Sequence, residues 1–168
     1  AGITPDLLCL SKGLTAGSLP FAVTLATEEL FDAFRGERPR MFHYGHSYCG
    51  NPLGCAAALA TLDAFAEDGI LEQSALRAAQ MRSATAAWQH WAGVAEVRQT
   101  GLVLAVQLSA GSDYADPIGW RVAKAAAARE LLIRPLGNVV YLVPALTISE
   151  PELGEMLERF GSAIQSAI

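Results

Sequence analysis

Hydrophobic and polar positions along this chain switch between two periods. Leu7, Leu8, Cys9 and Leu10 form a short apolar run that predicts a buried strand, and FAVTLAT (21–27) predicts a second. Glu28 to Phe34 reads as a short helix, GERPR (36–40) as a polar connector, and MFHYGHSYCG (41–50) as a loop. Asn51 and Pro52 then supply an N-cap and a proline at the first helical position, where a missing N–H costs nothing. The helix that follows, PLGCAAALATLDAFAED, is built largely of small residues and ends at Gly69. A face that small admits another backbone, a cofactor or a second subunit at close range, and tight packing is the simplest of these readings.

From Leu71 the positions Leu71, Ala75, Ala78, Met81, Thr85, Trp88 and Ala92 recur at steps of three and four, which predicts an amphipathic helix. VAEVRQ (94–99) and LVLAVQL (102–108) read as strands joined at Gly101. Asp116 and Pro117 open a predicted helix that runs through Arg129. LLIRPLGNVVYLVP (131–144) predicts two short strands around a Gly137-Asn138 turn. Ser149 with Glu152 forms a capping box, and Leu153, Met156, Leu157, Phe160 and Ile164 give the last helix its buried stripe. Residues 71 to 168 therefore read as a compact α/β unit.

Composition adds to this picture. Of the 168 residues 52% are hydrophobic and only 17% charged, so part of this surface is expected to be covered, by an oligomer or by more of the same chain. A net charge of -5 without any run of Lys or Arg argues against nucleic acid and against an anionic membrane surface. Three cysteines, Cys9, Cys49 and Cys55, without a C-x-x-C pair, predict buried reduced thiols in a cytosolic protein. No signal peptide is visible, and no apolar stretch is long enough to span a bilayer. The chain opens on Ala1 and runs almost at once into a strand, which reads as a chain entered in the middle.

The candidate chemistry begins at Lys12, which stands at the end of the first strand among Ser11, Gly13, Ala16 and Gly17. It is one of two lysines, with Lys124, against ten arginines. A lysine can give up its proton and attack a carbonyl, as arginine cannot, so Lys12 is either a Schiff-base amine or a solvated loop lysine. Gly45, Ser47 and Gly50 lie just ahead of a helix N-terminus, where backbone N–H groups and a hydroxyl suit a phosphate. The alternative is a turn or capping role for Ser47 and ordinary loop hydrogen bonds for His43 and His46. Three histidines, with no carboxylate or thiol at ligand spacing, argue against a metal site. Arg134 has a fork suited to a carboxylate, and Tyr141 offers a hydroxyl seven residues on; the alternative for Arg134 is a structural ion pair.

Taken together, PDLLCLSKGLTAG, GHSYCGNPLGCAA and IRPLGNVVYLVP resemble the second half of the class III, fold type I pyridoxal-phosphate aminotransferases, over essentially the whole chain. Within that family the resemblance is strongest to the branch that acts on 8-amino-7-oxononanoate in biotin synthesis, and RPLGNVVYLVP is its more discriminating piece. The resemblance implies an α/β fold of that type, with residues 1–70 in the cofactor-binding large domain and 71–168 forming the small C-terminal domain. It implies that Lys12 forms a Schiff base with pyridoxal 5'-phosphate and, once released, moves a proton between carbons. Gly45, His46 and Ser47 correspond to the stretch that reaches the cofactor phosphate from the neighbouring subunit of a homodimer, usually with threonine in place of Ser47, and Gly45 also borders the substrate. Arg134 corresponds to the arginine that holds the keto substrate's carboxylate, with Tyr141 near it.

The expected reaction is a ping-pong transfer of an amino group to 8-amino-7-oxononanoate, giving 7,8-diaminononanoate, from S-adenosylmethionine or lysine, in the cytoplasm. The alternatives are a class III enzyme acting on ornithine, 4-aminobutyrate or another omega-amine, and a non-catalytic α/β interaction module. The family's aspartate under the pyridine nitrogen, its glycine-serine phosphate loop and its stacking aromatic all correspond to positions before Ala1. The 168 residues alone are therefore expected to be inactive.

Overall fold

A computed structural model of the chain describes residues 2–110 and 117–168. The chain divides into two compact units, Ala1–Asp68 and Gly69–Ile168.

In the first unit β1 (Leu7–Ser11) and β2 (Ala22–Ala26) pair antiparallel, from Leu7 opposite Ala26 to Ser11 opposite Ala22. A single 3-10 turn, Lys12–Thr15, leaves β1. Helix α1 (Glu28–Ala33) starts where the Leu30 N–H meets the Thr27 hydroxyl, with Glu28 and Glu29 in its positive first turn. Helix α2 (Pro52–Glu67) follows the predicted cap, the Leu53 N–H donating to Asn51 Oδ1 at 3.1 Å. Gly54 lies buried against Phe21, whose ring would stand 2.5 Å from a Cβ at that position. The strand predicted as buried is exposed: Leu7, Leu8 and Leu10 all reach solvent, as do all three cysteine thiols. The cause is the pairing, because a ribbon of two strands leaves both faces open.

The second unit has an antiparallel sheet in the order β3 (Val94–Thr100), β4 (Val103–Leu108), β5 (Val139–Leu142). Along the central strand Leu104, Val106 and Leu108 are buried, while Val103 is exposed and Ala105 and Gln107 lie between. They join a core formed with Met81 of α3 (Ile70–Thr85), Ile118 and Val122 of α4 (Ile118–Ala127), and Phe160 and Ile164 of α5 (Glu150–Ala167). The capping box of α5 is complete: Ser149 N–H donates to Glu152 Oε2 at 3.0 Å, and Glu152 N–H to Ser149 Oγ at 3.4 Å.

Three details depart from the sequence reading. The buried stripe of α3 is led by Ile70, with Leu71 and Ala75 exposed, and the helix stops at Thr85. Trp88 sits instead on a separate 3-10 turn, stacked on Trp91 at 4.9 Å, and Gly161 makes room for both rings. Within 131–144 only Val139–Leu142 is a strand, pairing with β4. Pro135 breaks the run before it, having no N–H to donate, and the turn from Leu136 to Val139 uses Gly137 at φ +59°. The predicted start of α4 at Asp116 lies outside the described residues. Among the described residues no helix is long and apolar enough to cross a membrane.

Candidate active site

Lys12 is the first residue after β1, and its backbone is left-handed, at φ +52°. Ser11 and Lys12 both line one cleft of about 1140 Å³ in the first unit. The left-handed residue ends the extended run of β1 at the edge of this cleft. Among the described residues the Lys12 ammonium has no carboxylate partner, which leaves it available to a ligand.

His46 also lines this cleft, with Tyr48, Cys49, Asn51 and Cys55. Its Nδ1 accepts the Tyr48 N–H at 3.2 Å, which leaves the proton of the neutral imidazole on Nε2 as a donor. The loop is knotted on itself: Cys49 N–H donates to the His46 carbonyl at 3.0 Å, and His46 N–H to Cys49 Sγ at 3.3 Å. Asn51 N–H is spent on the Tyr48 carbonyl at 3.2 Å. Four amides ahead of α2, those of His46, Tyr48, Cys49 and Asn51, are thereby used within the loop. Gly45 and Ser47 are exposed and do not line the cleft, whereas Gly50 does. His43 bonds the Arg38 carbonyl through Nε2 at 3.0 Å, the ordinary loop role.

In the second unit Arg134 is exposed and, among the described residues, has no acidic partner. The structural ion pair that would have explained it is not formed there. Its segment is fixed at both ends. Upstream, Glu130 adopts a left-handed backbone at φ +59°, and Arg159 Nη1 donates to the Arg129 carbonyl at 3.0 Å. The Leu131 N–H closes onto the Ala126 carbonyl and the Glu130 N–H onto that of Ala127, both at 3.0 Å. Downstream, the Leu136 N–H meets the Val139 carbonyl at 2.8 Å. Tyr141, half-buried on β5, lies opposite Ala105 of β4.

The first unit thus brings Lys12 and His46 to one cleft, and the second presents Arg134 on a braced loop. Sequence reasoning gave Tyr48, Cys49 and Cys55 no part in the cleft, and nothing in their spacing signals one. Asn51 was legible only as a helix cap. A primary amine beside an open cleft is the arrangement needed to condense with a carbonyl, and an exposed guanidinium on a braced backbone can pair with a carboxylate.

Residues 1–164 match the family model of the class III aminotransferases. An adenosylmethionine-8-amino-7-oxononanoate aminotransferase of Synechococcus elongatus is 47% identical over 158 residues, covering 93% of this chain and 37% of that protein. The enzyme of the same name from Geobacter sulfurreducens is 38% identical over 173 residues, covering 98% and 38%. Among solved structures, that from Methanocaldococcus jannaschii superimposes with a TM-score of 0.89 at 35% identity, covering 98% of this chain and 39% of that one. An amine transaminase from an uncultivated Pseudomonas species, solved with pyridoxal phosphate bound, gives 0.86 at 34%, covering 99% and 40%. The chain spans about two fifths of the length of these proteins. Its two units have the fold of the corresponding part of a fold type I, pyridoxal-phosphate-dependent transferase. From a family match that takes in 164 of its residues, the chain belongs to the class III aminotransferases.

Proposed function

We propose that the protein carrying this chain transfers an amino group to 8-amino-7-oxononanoate, giving 7,8-diaminononanoate, with pyridoxal phosphate as cofactor. The observation that carries the reading is Lys12, placed at a strand end and turned into the cleft that His46 shares. The cleft suits the cofactor. It is of ligand size, and a Cβ built at Gly13 or Gly17 would meet nothing within 4 Å, so open space lies beside the lysine.

Lys12 would hold the aldehyde carbon, and Gly45, His46 and Ser47 would serve the phosphate. The exposure of Gly45 and Ser47 outside the Lys12 cleft supports their serving the site of a second subunit in a homodimer. When bound, pyridoxal phosphate supplies a carbonyl that takes amines and a ring that accepts the electron pair of the adjacent carbon. The chain's own residues do the rest. Lys12 Nζ, once free, carries a proton between two carbons; His46 Nε2–H offers a hydrogen bond to an anion; Arg134 grips the carboxylate of the keto acid, with the Tyr141 hydroxyl as a further donor. The donor is S-adenosylmethionine or lysine, and the three free, exposed thiols favour a reducing, cytoplasmic setting.

The protein that carries this chain should turn over 8-amino-7-oxononanoate. Turnover with 2-oxoglutarate alone would favour the second reading, an omega-aminotransferase, which the similarity to the Pseudomonas amine transaminase supports.

A further inference from the structure

We infer that Thr15 is the positioning residue that holds Lys12 in the cleft, an inference that rests on the reading of Lys12 as the cofactor lysine. Thr15 is 1% exposed in a unit whose surface is otherwise largely open. Its hydroxyl donates to the Leu19 carbonyl at 2.6 Å, and its own carbonyl accepts the Ser18 hydroxyl at 2.7 Å and the Ser18 N–H at 3.0 Å. These bonds close residues 15 to 19 into one knot, and the turn that contains Thr15 packs against α2.

The knot is needed because the turn is strained at two places. Lys12 at φ +52° and Ala16 at φ +49° are both left-handed, and both carry a Cβ that opposes that conformation. Gly13 and Gly17, which would bear it freely, stand one position away from each. Left to itself the turn would relax at Lys12, and a changed φ there would swing the side chain out of its present direction at the cleft. Thr15 sits between the two strained residues and supplies a side-chain hydrogen bond, to the Leu19 carbonyl, that opposes relaxation. Its removal also leaves the Leu19 carbonyl without that donor.

Lys12 and Lys124 allow a test in the protein that carries this chain. Its cofactor-free form is incubated with pyridoxal phosphate, so that each amine condenses with the aldehyde and releases water. Borohydride then fixes the product by delivering hydride to the carbon. Peptide mass spectrometry gives the ratio of label at Lys12 to label at Lys124, which is exposed on α4 and serves as the internal reference. The unaltered protein should favour Lys12. Thr15→Val should lower the ratio about three- to tenfold, the equivalent of one side-chain hydrogen bond, with far-ultraviolet dichroism unchanged. Thr15→Ser, which keeps the hydroxyl, should restore it. Ala16→Gly added to Thr15→Val should recover most of the loss, since glycine takes the left-handed turn without strain.

A ratio unmoved by Thr15→Val overturns the inference. So does a Thr15→Val loss that neither the serine nor the Ala16→Gly change repairs, which would mark Thr15 as part of the general packing. Equal labelling of Lys12 and Lys124 in the unaltered protein would instead overturn the reading of Lys12 itself, and the role of Thr15 with it.

Discussion

Gly119, in the first turn of α4, stands so close to Gly137 that a Cβ on it would lie 2.2 Å from the Gly137 carbonyl oxygen and 2.7 Å from Pro135 Cβ. The loop that carries Arg134 is thereby seated directly on a helix backbone. Gly119→Ala should destabilise the chain by about 1–3 kcal/mol, the usual cost of overpacking, because neither a peptide carbonyl nor a proline ring can swing aside. The urea midpoint should fall with an unchanged slope.

Gly154 in α5 is the opposite case. A Cβ there would meet only Gln80 Nε2, at 3.9 Å, and the backbone is already helical. Gly154→Ala should therefore raise stability by about 0.5–1 kcal/mol through the helix propensity of alanine. The same urea titration reads it, and a lowered midpoint would show that the groove beside Gln80 does not tolerate a methyl.

Lys12→Ala in the protein that carries this chain should reduce transamination by about a thousandfold or more, since it removes both the attachment point and the proton carrier. Cofactor retained through its phosphate should still be seen by equilibrium dialysis. Near-parent turnover would require another amine, and Lys124, exposed on an alanine-rich helix, does not line the cleft that holds Lys12.

Arg134→Ala should raise KM for the keto acid and cost about 2–4 kcal/mol in kcat/KM, with Arg134→Lys recovering only part because a point charge cannot make a two-pronged contact. The half-reaction with an amino donor anchored elsewhere should suffer less. If both half-reactions and thermal stability fall together, the guanidinium is structural after all.

Acid should loosen the start of α5 before the rest of its unit. The Ser149 hydroxyl bonded to the Glu152 carboxylate, followed by the Ser149 backbone N–H, holds that carboxyl below its ordinary value of 4.5. A depressed acid contributes its stability in full above 4.5 and loses it as pH falls from there through the lowered folded-state value. Amide exchange at residues 150–153, corrected for its intrinsic pH dependence, should rise in that window for the parent chain. In Ser149→Ala it should be fast already at neutral pH.

How far the sequence could be read depended on where the information lies. The capping box at Ser149, the Asn51-Pro52 helix start and the β3–β4 hairpin are written in neighbouring residues, and all three form as read. The phase of α3 was misjudged at its start because Leu71 and Ile70 are equally apolar, and only packing chooses between them. LLIR looked like a strand on composition, but β5 takes the edge of β4 and Pro135 denies the segment a ladder. Lys12 was legible from its small neighbours. Its left-handed backbone was not, since that depends on a hydrogen bond from Thr15 to a carbonyl four residues on. Nor did any spacing reveal that Tyr48 and two thiols line the same cleft.

The stacked pair Trp88 and Trp91 also decides what light can report about this protein. All three tryptophans, these two and Trp120, lie in Gly69–Ile168, while the unit bearing Lys12 has only tyrosine and phenylalanine as chromophores. Rings 4.9 Å apart and 23° from parallel couple their transitions, so near-ultraviolet dichroism follows the packing of Trp88 against Gly161 and Phe160. A melt complete by tryptophan emission therefore describes the unit that carries Arg134, and leaves the lysine's unit unobserved.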